Sequence, residues 1–76
     1  MGKMPALKPS AVIRALIRVG FVVYHQRGSH VQLRYPVRPH LRVTIPRHSS
    51  FDLPPTVVAS IIKQTGLSRE EFLKLL

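Results

Sequence analysis

The first helix is predicted by apolar residues that recur every three to four positions after a proline-flanked start. Ser10 is placed to act as its N-cap, and Gly20 supplies the left-handed C-terminal position at which such helices end. The apolar residues of one face are Val12, Ile13, Leu16 and Ile17. Arg14 and Arg18 fall on the opposite face, so the pattern predicts an amphipathic helix that covers a core.

Beyond this helix the pattern changes to that of β-strands. Residues 21–26 are β-branched or aromatic in the main, and residues 29–35 alternate apolar with polar, so together they predict a β-hairpin. A loop over residues 36–40 leads to a third alternating run, residues 41–45, which Pro46 ends. Three strands are therefore expected.

The register of the hairpin depends on which residues form its turn. If the turn holds only Arg27 and Gly28, His25 lies opposite His30. The face expected to pack on the helices then carries Val22, Tyr24, Val31, Leu33 and Tyr35, and these side chains are most simply core. A less favoured alternative makes Tyr24 or Tyr35 a platform on which a base stacks. The face expected to meet solvent or ligand carries His25, His30, Gln32 and Arg34. A slip of one residue would exchange the two faces.

A second helix is predicted near the C-terminus, where Pro54 and Pro55 can begin it and Gly66 can end it. Its apolar residues repeat the spacing of the first helix: Val57, Val58, Ile61 and Ile62. Ser68 and Glu71 then form a capping box, which predicts a short terminal helix. The apolar surface of that helix consists of Phe72, Leu73 and Leu76.

These elements predict one α+β domain over residues 1–76, in the order α-β-β-β-α with a short extra C-terminal helix. Matching apolar faces place the helices on one side of a three-stranded antiparallel sheet. The other side of the sheet is left open to carry a site.

Composition indicates the kind of ligand. The 76 residues contain 12 Lys and Arg but only three acids, for a formal net charge of +9. Such a field attracts polyanions, of which nucleic acid is the favoured class. There is no cysteine, and the N-terminus lacks the apolar run of a signal peptide, so a cytoplasmic location is expected and no membrane association.

His30 is the leading candidate for chemistry, because a histidine has a reference pKa of about 6.5 and can transfer protons near neutral pH. It follows a turn in which Gly28 and Ser29 present backbone N–H groups that can bind a phosphate oxygen. In RNA cleavage it could act as general acid or base. From spacing alone, however, a structural or merely exposed His30 is favoured over a catalytic one.

The other candidates are phosphate ligands and proton carriers around the same face. His25 and His48 suit proton transfer or phosphate contact, although a polar cross-strand pair that does no chemistry explains His25 equally well. His40, in the predicted loop, is expected to be solvated. The arginines placed to hold phosphates are Arg27, Arg34, Arg42 and Arg47. Four scattered histidines without a nearby carboxylate or cysteine predict no metal site, and no cofactor is expected.

Several segments, taken in order and spacing, resemble one known family. They are Gly20-Phe21, Gly28-Ser29-His30, residues 43–48 (Val-Thr-Ile-Pro-Arg-His) and the helix over residues 53–67, within a similarity that runs from about Ser10 to Ser68. In these features the chain resembles the HicA toxins, small messenger-RNA ribonucleases. The resemblance implies a fold like that of double-stranded-RNA-binding domains.

The resemblance also implies function. It implies metal-independent endoribonuclease activity on mRNA and inhibition by a HicB antitoxin, with the toxin a monomer alone and part of a hetero-oligomer when bound. The catalytic histidine of that family lies in the Gly-Ser-His motif, so the role carries over to His30. Many relatives have a basic residue, often arginine, where this chain has His25.

Two other functions remain open on the sequence. The same basic surface would serve a non-catalytic RNA-binding module that recognises shape and phosphates. It would also serve a protein-interaction domain with an acidic partner.

Overall fold

The chain folds as a helix, three strands and two further helices in a computed structural model that describes residues 6–47 and 51–76. The elements are α1 (Pro9–Arg18), β1 (Val22–Arg27), β2 (His30–Tyr35), β3 (Arg38–Pro46), α2 (Pro55–Thr65) and α3 (Arg69–Leu73). The strands form one antiparallel sheet in the order β1-β2-β3, with β2 in the centre. The predicted α+β class and element order are confirmed.

A single hydrophobic core lies on one side of this sheet. Alternate residues of the two strands β2 and β3 enter the core, and the apolar faces of the helices meet them there. The fully buried side chains are Val12, Leu16, Val31, Leu33, Val43, Ile45, Val58, Ile61 and Phe72. Burial of each aliphatic side chain stabilises the fold by about 1.5–3 kcal/mol. The opposite side of the sheet carries no helix of the described chain.

Helix α1 begins two residues earlier than the sequence suggests. Pro9 occupies the first turn and Lys8 is the N-cap, without a side-chain capping bond, so the expectation that Ser10 caps the helix is wrong. Proline suits the first turn because its missing N–H would have no acceptor there. Ile17, expected on the inward face, is 49% exposed.

The end of α1 is a Schellman motif around Gly20, as predicted. The N–H of Phe21 donates to the Leu16 carbonyl at 3.0 Å, and the N–H of Gly20 donates to the Ile17 carbonyl at 3.1 Å. Gly20 has φ +111°, a conformation that L-residues rarely adopt. The motif turns the chain directly into the sheet and buries Phe21.

The turn between β1 and β2 is made by Gly28 and Ser29, not by Arg27 and Gly28. Gly28 has φ +57°, and no residue other than glycine has positive φ among those described, which is the pattern of a type II′ turn with glycine in its first central position. Arg27 therefore pairs with His30. The predicted opposition of His25 and His30 is wrong, because moving the turn by one residue moves the strand pairing by two residues.

A β-bulge at Tyr24 changes the register again. Val23 pairs with Leu33 and His25 pairs with Gln32, so Tyr24 is the extra residue of β1. Val22 and Tyr24 were both expected on the core side of the sheet. Instead Val22, which pairs with Arg34, and Tyr24 lie on the opposite side, and Val23, which pairs with Leu33, lies on the core side.

The connection between β2 and β3 is shorter than predicted. Only residues 36 and 37 form a turn, and β3 extends over Arg38–Pro46, so residues 38–40 of the predicted loop are strand. Tyr35 pairs with Arg38, and the preceding residue, Arg34, pairs with Arg42. Residues 39–41 of β3 are therefore extra residues between these two pairs. His40 is exposed, as expected.

The C-terminal helices follow the prediction except at Leu76, which lies beyond the end of α3 and is 45% exposed. Helix α2 ends at Gly66, and α3 begins with the predicted capping box, in which the Glu71 N–H donates to Ser68 Oγ and the Ser68 N–H donates to Glu71 Oε1. The Ser68 backbone N–H, and after it the Ser68 hydroxyl, stabilise the Glu71 carboxylate and hold the pKa of Glu71 below its ordinary value. The guanidinium of Arg18 donates to the Leu75 carbonyl, which fastens the C-terminal residues to α1. No helix in the described residues is long and apolar enough to cross a membrane.

Two glycine substitutions should differ in their effect on stability. A Cβ at Gly20 would lie 2.8 Å from Tyr35 Cε1, and that ring packs against Phe21 with 5.2 Å between centroids. A Cβ at Gly28 would meet nothing within 4 Å. We expect Gly20→Ala to lower the free energy of unfolding by about 3 kcal/mol, from strain and overlap together, and Gly28→Ala by about 1 kcal/mol, from strain alone. Urea denaturation measures both, and equal losses would contradict the packing described for Tyr35.

Candidate nucleic-acid interface

The side of the sheet opposite the core, here called the open face, consists of three rows of cross-strand neighbours. The row next to the β1–β2 turn is Arg27, His30 and Pro46; the middle row is His25, Gln32 and Thr44; the far row is Val22, Arg34 and Arg42. Successive rows are about 7 Å apart, because side chains of a strand return to the same face every second residue.

His30 is the first residue of the central strand and is exposed. Its neighbours across the sheet are Arg27 on β1 and Pro46 on β3. The N–H of Arg47 donates to the Ser29 carbonyl, so the residue after β3 is held beside the turn. One arginine, Arg27, thus lies directly beside His30 on the open face, and the His30 side chain is exposed to solvent.

The turn itself offers donors to an anion. Within the described residues, no backbone carbonyl accepts a hydrogen bond from the N–H of Gly28 or of Ser29. Both groups lie one or two residues from His30. A phosphate oxygen placed over this end of the open face could therefore contact these backbone N–H groups and the guanidinium group of Arg27 together.

The predicted histidine pair is not formed by direct opposition. His25 lies opposite Gln32, which makes it a diagonal neighbour of His30, with a separation of about 7–8 Å between such positions. His25 is nevertheless on the open face and exposed. His48 lies outside the described residues.

The charge of the open face is unbalanced. Residues 21–50 contain no Asp or Glu, and the three acids of the chain all follow them. Of these, Asp52 forms a 3.0 Å ion pair with Lys8, and Glu71 caps α3. The predicted phosphate ligands Arg27, Arg34 and Arg42 are exposed on the three strands, and none of them pairs with a carboxylate of the described chain. The open face is therefore electrostatically complementary to an anionic ligand.

Tyr24 lies on the open face, although the strand pattern predicted it on the core side. The guanidinium carbon of Arg34 lies 5.9 Å from the centroid of its ring, and that of Arg42 lies 5.7 Å from it. These are cation–π distances. The one sequence signal was the run Val22-Val23-Tyr24, which does not alternate and so does not specify a face.

Metal-ligating side chains are dispersed. Among residues 6–47 and 51–76, no three His, Asp or Glu side chains come together as a group that could hold a metal ion. The chain contains no cysteine. His25, His30 and His40 therefore belong to no such group.

The fold and the open face lie within a match to a known family. The sequence profile of the family described as "HicA toxin of bacterial toxin-antitoxin" matches residues 10–67, about three quarters of the chain. This span contains all three strands and α2, and it ends before α3. A search of curated proteins gave no match.

Titration with an inorganic anion should locate the binding surface without assuming any reaction. We expect sulfate or phosphate to shift the amide NMR signals of Gly28, Ser29 and His30, because unpaired N–H groups and guanidinium groups converge there. Signals of the exposed outer face of α1, around Arg14, serve as the internal control and should stay in place at low ionic strength. Shifts of equal size on α1 and on the turn would show that the anion follows net charge alone.

Proposed function

The chain belongs to the HicA toxin family of bacterial toxin–antitoxin systems, and from that membership together with its open face we propose that it is a metal-independent endoribonuclease acting on mRNA. The observation that carries the proposal is an exposed histidine directly opposite an arginine, beside a turn whose N–H groups donate to no backbone carbonyl of the described residues, on a face that has no carboxylate. General acid–base cleavage of RNA needs these groups together.

In the proposed reaction, the ribose 2′-oxygen attacks the adjacent phosphorus as its proton is removed, and the 5′-oxygen of the next nucleotide leaves as it gains a proton. The products are a 2′,3′-cyclic phosphate and a 5′-hydroxyl. His30 supplies one of these two proton transfers as a general base or acid. His25, the diagonal neighbour on the open face, and His48 are the candidates for the other transfer.

The arginines have a separate role in this proposal. Negative charge grows on the phosphoryl oxygens as the 2′-oxygen attacks, and guanidinium groups of Arg27 and Arg47 beside His30 stabilise that charge. Arg34 and Arg42 in the far row bind the flanking backbone and position the RNA. The N–H groups of Gly28 and Ser29 add fixed donors that need no reorganisation during the reaction.

Family membership implies an antitoxin partner, and we propose that it is a HicB-type protein that covers the open face. An exposed surface of unpaired arginines is complementary to acidic side chains, which would occupy the same positions as RNA phosphates. Inhibition then follows from competition for one surface.

Replacement of His30 tests the catalytic assignment. We expect His30→Ala to slow RNA cleavage at least 100-fold, because general acid–base catalysis contributes about 10²–10⁴-fold, while RNA affinity stays within a few-fold of the wild type. Cleavage is measured on labelled RNA with EDTA present, and the 3′ end of the product is analysed for a cyclic phosphate. His40→Ala, which removes another exposed histidine of the sheet, is the matched control and should cleave normally.

Other outcomes of the same assay are informative. Cleavage by His30→Ala at the wild-type rate would remove His30 from the mechanism. RNA binding by the wild type without any cleavage, with or without EDTA, would instead support the non-catalytic RNA-binding module that uses the same basic face.

A competition experiment tests occlusion by the antitoxin. We expect RNA and antitoxin to exclude one another, and Arg34→Glu to weaken both complexes about tenfold or more, because it places a like charge against an anionic partner. Arg14→Glu changes the net charge equally on the exposed side of α1 and should weaken neither complex appreciably. A ternary complex of toxin, antitoxin and RNA would rule out simple occlusion.

A further inference from the structure

The open face contains an aromatic ring that the proposed cleavage chemistry does not use. Tyr24 is 40% exposed, whereas Phe21 and Phe72 are buried in the core and Tyr35 packs against Phe21. The bulge in β1 is what brings Tyr24 to this side of the sheet. An exposed ring on a cationic surface differs from the aromatic residues that build the core.

The guanidinium groups of two arginines lie close to this ring although their positive charges repel each other. Arg34 and Arg42 are direct cross-strand neighbours, and like charges in such positions destabilise a sheet. Both guanidinium groups lie within 6 Å of the Tyr24 ring centroid, where the negative potential of the π-face attracts them. Neither is neutralised by any of the three acids, all of which belong to the described chain. The three residues form a preassembled cluster, here called the tyrosine clamp.

Part of the ring remains accessible to a flat ligand, because Tyr24 is 40% exposed. The guanidinium carbons also lie farther from the ring centre than the about 3.5–4.0 Å of a stacked contact. The ring is therefore not fully covered by its own arginines. A planar, uncharged group can stack on it while the two guanidinium groups contact attached phosphates, which is the arrangement that a nucleotide satisfies.

The tyrosine clamp and His30 lie on the same face of the sheet, a short distance apart along the strands. Tyr24 is the bulge residue beside the middle row, and Arg34 lies four residues along β2 from His30, about 13 Å away by strand rise. A strand of RNA whose scissile phosphate lies at His30 would reach the clamp with a neighbouring nucleotide. In a duplex that base is stacked and paired within the helix and is not available to the ring.

We propose that Tyr24, with Arg34 and Arg42, is a stacking site for one unpaired base next to the scissile phosphate, so that the protein selects single-stranded over double-stranded RNA. The inference rests on the proposed ribonuclease function and adds its substrate selectivity. Tyr24 here is a positioning residue, because it contacts the substrate base and not the reacting atoms.

Binding measurements on RNA that cannot be cleaved test this separately from catalysis. The probe is a single-stranded 2′-O-methyl oligonucleotide, which lacks the attacking hydroxyl, compared with its duplex and with the same strand made abasic. We expect Tyr24→Leu to weaken binding of the intact single strand about tenfold or more and to leave abasic and duplex binding unchanged. Tyr24→Phe keeps the π-face and should bind within about twofold of the wild type.

Salt dependence separates the clamp's ring from its charges. Arg34→Gln and Arg42→Gln should each lower the slope of log affinity against log salt by roughly one, because each removes one phosphate contact. Tyr24→Leu should leave that slope unaltered. A Tyr24→Leu protein that binds the intact single strand as tightly as the wild type, or that loses abasic and duplex binding equally, would overturn the stacking site.

Tyrosine fluorescence gives a second readout in a protein with an intact clamp. The chain has two tyrosines and no tryptophan, so Tyr35→Phe leaves Tyr24 as its sole emitter and keeps the ring that packs against Phe21. We expect saturable quenching by the intact single strand and none by the abasic strand. Equal quenching by both would overturn stacking, and absence of cleavage by the wild-type protein would contradict the ribonuclease proposal without affecting either binding result.

Discussion

One-sided burial of the sheet is the constraint on which the rest of the structure depends. With both long helices on one side, the alternate residues Val31, Leu33, Val43 and Ile45 must be apolar, and they are fully or almost fully buried. The residues between them are released from packing, since side chains of a strand alternate between faces. That release is what lets a protein of this size assign one side of its sheet to stability and the other to binding.

Two local irregularities then decide which residues of β1 take part. The type II′ turn at Gly28-Ser29 places Arg27 directly opposite His30, and the bulge brings Tyr24 to the same side as Arg34. In a regular hairpin the same pairing register continues along both strands. Here the turn sets the pairing near His30, and the bulge sets a different pairing beyond His25.

The features that could be predicted from sequence are those that do not depend on this turn and bulge. Helical periodicity, the glycine after α1 and the capping box of α3 depend on neighbouring residues, and apart from the exposed Ile17 they appear in the structure as expected. The strand faces of β2 could also be predicted, because Val31, Leu33 and their polar neighbours alternate cleanly. His30 and Arg34 were therefore assigned to the correct side, although the mechanism assigned to them remains a proposal.

The register of β1 could not be predicted in the same way. A turn at Arg27-Gly28 and one at Gly28-Ser29 both use the glycine, and they differ by a single residue. Nothing in the run Val22-Val23-Tyr24 marks an extra residue, since all three are apolar or aromatic. Tyr24 was consequently assigned to the core, and its contacts with Arg34 and Arg42 emerge only from the three-dimensional arrangement.

Concentrating arginine without acid on one face has an energetic consequence. Exposed like charges at the distances of neighbouring strands lie within the screening length of about 8 Å at physiological salt, so they repel and oppose folding. The Tyr24 ring offsets part of this repulsion for Arg34 and Arg42. An anionic ligand offsets more of it, and any ligand that binds only the folded state stabilises that state. The same charges that weaken the isolated domain would thus make its stability respond to the RNA or the acidic partner that we propose for the open face.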